Sequence, residues 1–315
     1  MCPFWKKNCN RIYFRLIEGV FASSISFTKG QKMELTDIKT IRAIEKKFNF
    51  GFSKGLGQNF LLDSAVLDKI ADAAEITDGV LEIGAGFGVL TKKLAETAKK
   101  VVSVEIDKSL IPVLQYTLQD FDNVKIIEGD FLKIDAKSLI KEEFGDGKIS
   151  IAANLPYYIT TPIITGIIES KLPVKNIVVM VQKEVAERIV AKVGTKDYGA
   201  ISVLCNFYTK PEIVEIVPAN SFYPAPKVDS AVLCMKVLDK PPVSVNDEKL
   251  FFKVVKSAFL HRRKTLLNCL SSGFGIEKPA LSKMLEELGI EPSVRGERLG
   301  IFEFAKIADA IEKMR

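Results

Sequence analysis

A short polar and aromatic segment of this chain, Asn154-Leu155-Pro156-Tyr157, has the residue types needed to hold the amine of a flat base. It follows an apolar run at residues 149–153 that predicts a buried strand, so we expect it at the carboxyl edge of a sheet, where open α/β folds bind ligands. The side-chain carbonyl of Asn154 and the backbone carbonyl of Leu155 can each accept a hydrogen from an exocyclic amine. Pro156 stiffens the turn, and the ring of Tyr157 offers a surface on which an extruded base can stack. We call residues 154–157 the amine clamp.

A glycine-rich turn lies upstream of the clamp, at Gly84, Gly86 and Gly88. Residues 80–83 resemble a buried strand and the residues after Gly88 the apolar face of a helix, so the glycines occupy a strand-to-helix turn. Glycine tolerates positive φ and has no Cβ, which lets a cofactor approach the backbone. The next predicted strand ends in Glu105, about 20 residues further on, where a doubly wound fold brings an acid to the hydroxyl pair of a ribose.

The glycine spacing favours S-adenosylmethionine (SAM) over a dinucleotide. A dinucleotide motif would place its third glycine at position 89, which is Val89 in this chain. SAM has no pyrophosphate to seat at such a turn. Together with the amine clamp, this predicts methyl transfer to adenine. The amine of adenine is a poor nucleophile because its lone pair is delocalised into the ring, and two carbonyl acceptors would direct that lone pair at the sulfonium methyl without a strong general base.

Hydrophobic periodicity predicts an α/β fold: a Rossmann-like sheet of the SAM-dependent methyltransferase type with about seven strands, followed by a small all-helical C-terminal domain. The predicted strands are residues 80–83, 101–105, 124–127, 149–153, 177–181, 200–207 and 231–237. Pro241 and Pro242 interrupt the pattern, and from Glu248 onward only helical spacing remains. We therefore predict a methyltransferase domain at residues 33–240 and a helical domain at residues 241–315.

The composition is that of a basic globular chain. Its 315 residues suffice for one large and one small domain, and the formal net charge of +6 permits a polyanionic partner such as RNA without proving one. No uninterrupted apolar run reaches the roughly 18 residues of a membrane span. The cysteines are scattered without a CxxC pair and His261 is the only histidine, which disfavours a zinc site and histidine-based catalysis. We expect a cytoplasmic protein with reduced thiols, no metal and no membrane partner.

Residues 1–32 differ from the rest of the chain. They carry a single acid, Glu18, among several lysines and arginines, a composition that superficially resembles a presequence. A simpler interpretation is that Met33 is the natural start and that Lys29-Gly30-Gln31-Lys32 is translated upstream message, since its possible codons are purine-rich like a bacterial ribosome-binding site. We therefore predict that residues 1–32 are a non-native or disordered leader.

Nine segments between about Met33 and the C-terminus resemble the motifs of the ribosomal RNA adenine dimethyltransferases, and within that family the small-subunit enzymes of the kasugamycin-resistance type. The segments are LGQNFL at 56–61, EIGAGFG at 82–88, VEID at 104–107, GD at 129–130, NLPY at 154–157, QKEV at 182–185, YG at 198–199, FYPAPKVDS at 222–230 and RRKT at 262–265. As a set they are very specific, and only the residues before Met33 fall outside the family pattern.

The resemblance implies dimethylation of the exocyclic amines of two adjacent adenines in a hairpin near the 3′ end of small-subunit (16S) rRNA, within a pre-30S-type ribosomal particle, with a role in small-subunit biogenesis. It implies SAM contacts at Asn59, Leu61, Gly84, Glu105, Asp130 and Asn154, to which the glycine turn adds Gly86. In that family the acid at Asp130 meets the adenine amine of SAM, and Phe222 is similar to a residue that flanks the target base opposite Tyr157. Core packing is the alternative for Phe222. Tyr158 departs from the small polar residue or glutamine of many relatives.

A group of cations surrounds the first predicted helix of the C-terminal domain: Lys253, Lys256, Arg262, Arg263 and Lys264. Such charge runs usually form a solvated face. The resemblance implies instead that they bind phosphates and that residues 241–315 form an RNA- or ribosome-binding domain. We predict Arg262, Arg263 and Lys264 as RNA-binding residues.

Two other functions stay open at this point. The first is that of the related large-subunit enzyme that confers macrolide resistance. Leu155 in place of isoleucine and the segment 222–230 argue against it. A ribosome-assembly or transcription factor could keep the fold without turnover. The intact amine clamp and Glu105 favour activity over that alternative, although the fold alone does not separate them.

Overall fold

The computed structural model describes residues 33–51, 57–261 and 263–314. Contacts between Cα atoms divide the chain into residues 1–34 and residues 35–315. Only two residues of the first unit are described, so the fold that follows is that of the second. The predicted leader at residues 1–32 and the predicted RNA-binding residue Arg262 lie outside the described residues.

The described part of this unit alternates strands and helices up to β9 and is helical after it. The strands are β1 Phe60–Leu61, β2 Gly79–Ile83, β3 Val101–Glu105, β4 Val124–Glu128, β5 Ile149–Asn154, β6 Val174–Gln182, β7 Thr209–Val217, β8 Phe222–Tyr223 and β9 Ser230–Val237. The helices are α1 Ile38–Phe48, α2 Ser64–Ala74, α3 Val89–Ala95, α4 Ile111–Thr117, α5 Ala136–Phe144, α6 Thr160–Glu169, α7 Lys183–Ile189, α8 Ala200–Tyr208, α9 Glu248–Ala258, α10 Leu266–Phe274, α11 Lys278–Glu287 and α12 Ile301–Lys313. Short 3₁₀ turns lie at Lys108–Leu110, Phe131–Lys133, Ala219–Ser221 and Gly296–Arg298.

Seven strands form one sheet in the order β4-β3-β2-β5-β6-β9-β7. Strands β2 to β6 pair in parallel, and β9 runs antiparallel to both of its neighbours. Every residue of β2 and β3 is buried, as expected for a sheet that is covered on both faces. The predicted seven-stranded α/β sheet is thus confirmed. The remaining two strands, β1 and β8, form a separate antiparallel pair.

The strand order explains where a site can form. The chain runs outward from β2 through β3 to β4 and then returns to place β5 on the other side of β2. Helices that follow β2 and β5 therefore leave the sheet in different directions, and a crevice opens between the carboxyl ends of these two strands. The glycine turn follows β2, Glu105 ends β3 and the amine clamp begins at the end of β5, so all three lie at the same edge.

The predicted strand at residues 200–207 was wrong, because this segment forms helix α8. Its apolar residues lie on two faces of the helix: Leu204 and Cys205 pack into the core under the sheet, whereas Val203 and Phe207 pack against the C-terminal helices. Burial on two faces removes the one-sided spacing by which a helix is recognised. The seventh strand is instead β7, an edge strand in which a proline and charged residues obscure the alternation.

Helices α9 to α12 follow β9, which confirms the all-helical C-terminal region. Asp247 caps α9 by accepting hydrogen bonds from the backbone N–H groups of Lys249 and Leu250. Phe251 and Phe304 are fully buried in the core that these helices share with α8. The division into domains at residue 240 stays a prediction.

Candidate active site

A cleft at the carboxyl edge of the sheet collects most of the predicted site residues. Those that line it are Asn59, Leu61, Gly84, Gly86, Glu105, Asn154, Leu155, Pro156 and Tyr157. They come from the β1 segment, the glycine turn, the end of β3 and the amine clamp. Residues far apart in the sequence therefore meet at one place, as the strand order requires.

The glycine turn has the backbone conformation that its sequence predicts. Gly84, Gly86 and Gly88 all have positive φ, at 81°, 59° and 84°. A Cβ on Gly86 would lie 2.7 Å from the ring of Phe60, so a side chain there would be both strained and crowded. The turn therefore brings bare backbone to the wall of the cleft.

Glu105 supports the glycine turn directly. Its Oε2 accepts a hydrogen bond from the backbone N–H of Gly86 at 2.9 Å, and its Oε1 accepts one from Asp107 N at 2.8 Å. The residue is 4% exposed, and burial raises the pKa of its carboxyl, an effect that these backbone hydrogen bonds oppose. A carboxylate has about four lone-pair sites, so each oxygen can accept a further hydrogen from a ligand hydroxyl.

Beneath the turn lies a second buried carboxyl, that of Glu82 in β2. Its Oε2 accepts a hydrogen bond from the hydroxyl of Thr91 at 2.6 Å, while Oε1 and the hydroxyl of Ser103 have no hydrogen-bond partner among the described residues. The pKa of Glu82 is raised to about 7, mainly by burial and to a smaller extent by the charge of Glu105. The nearby hydroxyl of Ser103 and the hydrogen bond from Thr91 oppose only part of this effect.

Replacing Glu82 with glutamine is expected to remove a loss of stability at high pH. Between the ordinary pKa of 4.5 and the folded-state pKa of about 7, the folded protein holds the proton more tightly than the unfolded chain, so wild-type stability falls as pH rises through this window. The unfolding free energy of Glu82→Gln minus that of wild type should therefore rise by up to about 3 kcal/mol. Urea unfolding at pH 4.5, 6 and 8 measures it, with Glu128→Gln as an exposed control. A difference that does not vary with pH would contradict the assignment.

The amine clamp is held in a defined orientation. The side-chain amide nitrogen of Asn154 donates a hydrogen bond to the backbone carbonyl of Asn59 at 2.9 Å. A carbonyl can only accept, so this contact must be made by the amide nitrogen, and Oδ1 remains as the acceptor. Leu155 N donates to Met180 O at 3.1 Å, and no donor among the described residues reaches the carbonyl oxygen of Leu155. Both acceptors that the amine requires are thus available.

Two aromatic rings lie at the cleft, that of Tyr157 in the clamp and that of Tyr158 directly after it. The hydroxyl of Tyr157 lies 2.7 Å from that of Ser230, and burial raises the pKa of the Tyr157 phenol. Tyr158 is 56% exposed and lies at the cleft wall. Its ring packs beside Gly57 and so closes one side of the cleft.

Two predicted site residues do not line the cleft. Asp130 lies beyond β4, where its carboxylate accepts a hydrogen bond from Leu132 N at 3.1 Å and pairs with Lys133. Phe222 is 4% exposed and pairs with Leu61 between β8 and β1. Their roles toward the cofactor and the target base stay predictions.

Sequence reasoning missed two residues that shape the cleft. Ile106 is 47% exposed although it is apolar, and it lies at the cleft wall directly after Glu105. Gln58 donates a hydrogen bond to Asp107 at 2.8 Å and so ties the segment before β1 to the end of β3. An apolar residue directly after the acid that ends β3 was a sequence signal for Ile106. The position of Gln58 depends on a contact with a distant segment, which no local pattern encodes.

The described residues offer little other chemistry. They contain no group of three or more potential metal ligands and no helix that is long and apolar enough to cross a bilayer. Burial raises the thiol pKa of Cys205 to about 12 and that of Cys234 to about 11, and neither cysteine lines the cleft. Among the described residues, the cleft thus offers hydrogen-bond acceptors and aromatic rings.

The predicted RNA-binding cations lie between α9 and α10. Arg263 and Lys264 are exposed, whereas Arg262 lies outside the described residues. Lys256 pairs with Glu169 at 3.6 Å, and the ammonium of Lys253 lies 4.8 Å from the ring centre of Phe274. The structure therefore gives Lys253 and Lys256 partners within the protein.

The parallel sheet, the glycine turn after β2, the acid at the end of β3 and the amine clamp after β5 together define a Rossmann-like methyltransferase that acts on an amine. The family model described as ribosomal RNA adenine dimethylase matches residues 49–313. The chain therefore belongs to the ribosomal RNA adenine dimethylase family, and the resemblance found in its motifs is confirmed. Membership assigns it to the enzymes that methylate adenines of rRNA.

Relatives and solved structures agree with this assignment. Ribosomal RNA small subunit methyltransferase A of Alkaliphilus oremlandii (strain OhILAs) is 48% identical over 278 residues, which are 87% of this chain and 97% of the relative. The protein of the same name from Bacillus cytotoxicus is 49% identical over 85% of this chain and 94% of the relative. A dimethyladenosine transferase from Plasmodium falciparum superposes with a TM-score of 0.68 at 28% identity, over 81% of this chain and 98% of that one. The 23S rRNA methyltransferase ErmE, at 24% identity and a TM-score of 0.62 over 80% of this chain and 99% of that one, shares the fold.

Proposed function

We propose that this enzyme uses SAM to dimethylate the exocyclic amines of two adjacent adenines in a hairpin near the 3′ end of small-subunit rRNA. The observation that carries the proposal is the fixed orientation of Asn154, whose amide nitrogen is bound to Asn59 O and whose Oδ1 is left to accept a hydrogen from the amine. The family supports the adenine substrate and the rRNA.

The residues of the clamp have different roles in methyl transfer. Oδ1 of Asn154 and the carbonyl oxygen of Leu155 each accept one hydrogen of the adenine amine, which turns the amine towards tetrahedral geometry. Acceptors that are already in place when the amine changes geometry stabilise the transition state more than the ground state. The ring of Tyr157 stacks on the base and holds its plane. After each transfer the proton leaves the amine readily, so a strong base is unnecessary.

The cleft has the features that SAM requires. The positive φ angles of the turn and the absence of a Cβ at Gly86 bring backbone to the cleft wall, and the buried carboxylate of Glu105 offers acceptors for a ribose. We infer that Asn59, Leu61, Gly84, Gly86, Glu105 and Asn154 hold the cofactor and that Asp130 meets its adenine amine. SAM, when bound, supplies the sulfonium methyl group. Glu105 would hold the ribose, and Ile106 would shield it from water.

We propose small-subunit rRNA, in a pre-30S-type particle in the cytoplasm, as the substrate. Two relatives at 48–49% identity carry the name ribosomal RNA small subunit methyltransferase A. The likeness to the large-subunit enzyme ErmE is 24% and supports the shared fold alone. Leu155 and the segment at residues 222–230 also favour the small-subunit substrate.

Methylation mapping tests this proposal. The protein is incubated with methyl-labelled SAM and undermethylated small ribosomal subunits, and the modified adenines are located by primer extension and mass spectrometry. We expect dimethyladenosine at two neighbouring positions near the 3′ end of the rRNA. Label in large subunits alone would support the large-subunit alternative, and the absence of label with intact subunit binding would support an assembly factor without turnover.

We propose that the loop between α9 and α10 binds rRNA phosphates and that residues 241–315 form the RNA- or ribosome-binding domain. Arg263 and Lys264 are exposed, and no ion pair within the described residues involves them. Their charges are thus available to a polyanion. Arg262, which is adjacent in the sequence, is part of the same proposal.

Replacing Arg262, Arg263 and Lys264 together with glutamine should weaken subunit binding and reduce its salt dependence. Each lost phosphate contact lowers the slope of log affinity against log salt by up to about 0.9. SAM affinity should stay unchanged, because Arg263 and Lys264 do not line the cleft. Filter binding from low to moderate salt measures the slope, and the triple change of Lys125 in β4 and of Lys137 and Lys141 in α5 to glutamine serves as control. An unchanged slope would show that the loop is an ordinary solvated surface that does not bind phosphates.

A further inference from the structure

The hydrogen bond between Tyr157 and Ser230 joins the amine clamp to a distant strand. The two hydroxyl oxygens are 2.7 Å apart, and 73 positions separate the residues in the sequence. Ser230 has no exposed surface, whereas Tyr157 is half-buried at the cleft wall. A buried hydroxyl that loses its partner costs free energy, so each of the two groups holds the other in place.

Ser230 is well suited to act as an anchor. It begins β9, which lies between two strands, and it pairs with Gln182 of β6 on one side and with Val217 of β7 on the other. Its backbone is therefore fixed from both sides. Tyr157 by contrast belongs to the irregular segment after β5, and its ring would otherwise turn about its side-chain torsions.

We propose that Ser230 is a positioning residue for base methylation, which sets the tilt and height of the Tyr157 ring on which the target adenine stacks. The inference rests on the proposed function, because it assumes that Tyr157 stacks on that base. The hydrogen bond to Ser230 holds the hydroxyl end of the Tyr157 ring, and the backbone holds its other end. The plane of the ring then fixes the plane of the base, and hence the direction of its amine relative to Asn154 Oδ1.

The protonation state of the pair suits this role. Burial raises the pKa of the Tyr157 phenol, and the nearby charge of Asp229 raises it further. The phenol therefore stays neutral, and it can donate to the serine hydroxyl or accept from it. The tether is thus maintained across the pH range in which the enzyme would act.

Single-turnover methylation with Ser230→Ala, Tyr157→Phe and the double variant tests the proposal. Misplacement of a reacting group by about 1 Å can slow a reaction up to about a hundredfold. A loosened Tyr157 ring should have a smaller effect, so we expect the methylation rate of each single variant to fall roughly tenfold. The double variant should be no slower than either one, because both changes remove the same hydrogen bond. Affinities for SAM and for small subunits, measured separately, should stay within about twofold of wild type, since cofactor and phosphate contacts are untouched.

Ser150→Ala is the matched control. Ser150 is another buried serine of the sheet, and its hydroxyl donates to Ala74 O at 2.6 Å, away from the cleft. We expect Ser150→Ala to reduce thermal stability about as much as Ser230→Ala does and to leave the methylation rate unchanged. A wild-type rate in folded Ser230→Ala or Tyr157→Phe, or a double variant whose loss is the product of the two single losses, overturns the inference. If wild type itself fails to methylate adenine, the proposed function fails instead, so the two failures are distinguishable.

Discussion

Replacing Asn154 with alanine is expected to slow methyl transfer by roughly two to three powers of ten while leaving most of the subunit affinity intact. The change removes the Oδ1 acceptor that acts as the amine becomes tetrahedral, and the loss of one such directed group costs about 3–4 kcal/mol in the transition state. Phosphate contacts elsewhere supply the binding to RNA, so ground-state affinity should change far less. Single-turnover methylation at saturating SAM, run beside a subunit-binding assay, separates the two effects.

Two further variants sharpen the test of Asn154. Asn154→Asp keeps oxygen acceptors but cannot donate to Asn59 O, so a slow Asp variant would show that the orientation of the amide matters as well as its oxygen. Asn206→Ala removes an asparagine that donates to Ser202 O in α8, away from the cleft, and should methylate at the wild-type rate. If Asn154→Ala also methylates at the wild-type rate, Asn154 does not orient the amine, and the proposed mechanism is wrong.

Replacing Glu105 with alanine should weaken SAM binding roughly 10- to 150-fold. A hydrogen bond to a charged group contributes about 1.5–3 kcal/mol, and this carboxylate would accept from the ribose. It also accepts from the backbone N–H groups of Gly86 and Asp107, so the variant loses support for the turn in addition to the ribose contact. Titration calorimetry measures the affinity, and circular dichroism checks the fold.

Glu128→Ala provides the comparison for Glu105. Glu128 ends the neighbouring strand β4 and pairs in register with Glu105, but it is exposed and forms an ion pair with Lys108. Its loss should leave SAM affinity unchanged. Unaltered affinity in a folded Glu105→Ala protein would show that the ribose binds elsewhere in the cleft.

Local patterns were enough to predict the residues at strand ends. Glycines at a strand-to-helix turn, an acid at the end of the next strand and the clamp after β5 each follow a run of buried apolar residues, and burial on both faces makes such runs easy to recognise. Parallel strand order then brings their carboxyl ends together. That is why Gly86, Glu105 and Asn154 meet in the structure as predicted.

Contacts between distant segments could not be predicted in this way. The bond from Asn154 to Asn59 spans 95 positions, and it depends on the loop before β1 folding back over β5. Helix α8 was mistaken for a strand because it is buried on two faces, and edge strand β7 was missed because Pro211 and Glu212 hide its alternation. In each instance tertiary packing determined the outcome, and the sequence within a short window contains no record of it.

The two buried faces of α8 have a mechanical consequence. Val203 and Phe207 lie in the core of the C-terminal helices, while Leu204 and Cys205 lie in the core beneath the sheet. A hinge rotation of the helices against the sheet would open one of these cores, and each 400 Å² of apolar surface exposed would cost about 10 kcal/mol. We therefore expect the C-terminal helices and the sheet to move as one body when the protein binds its substrate.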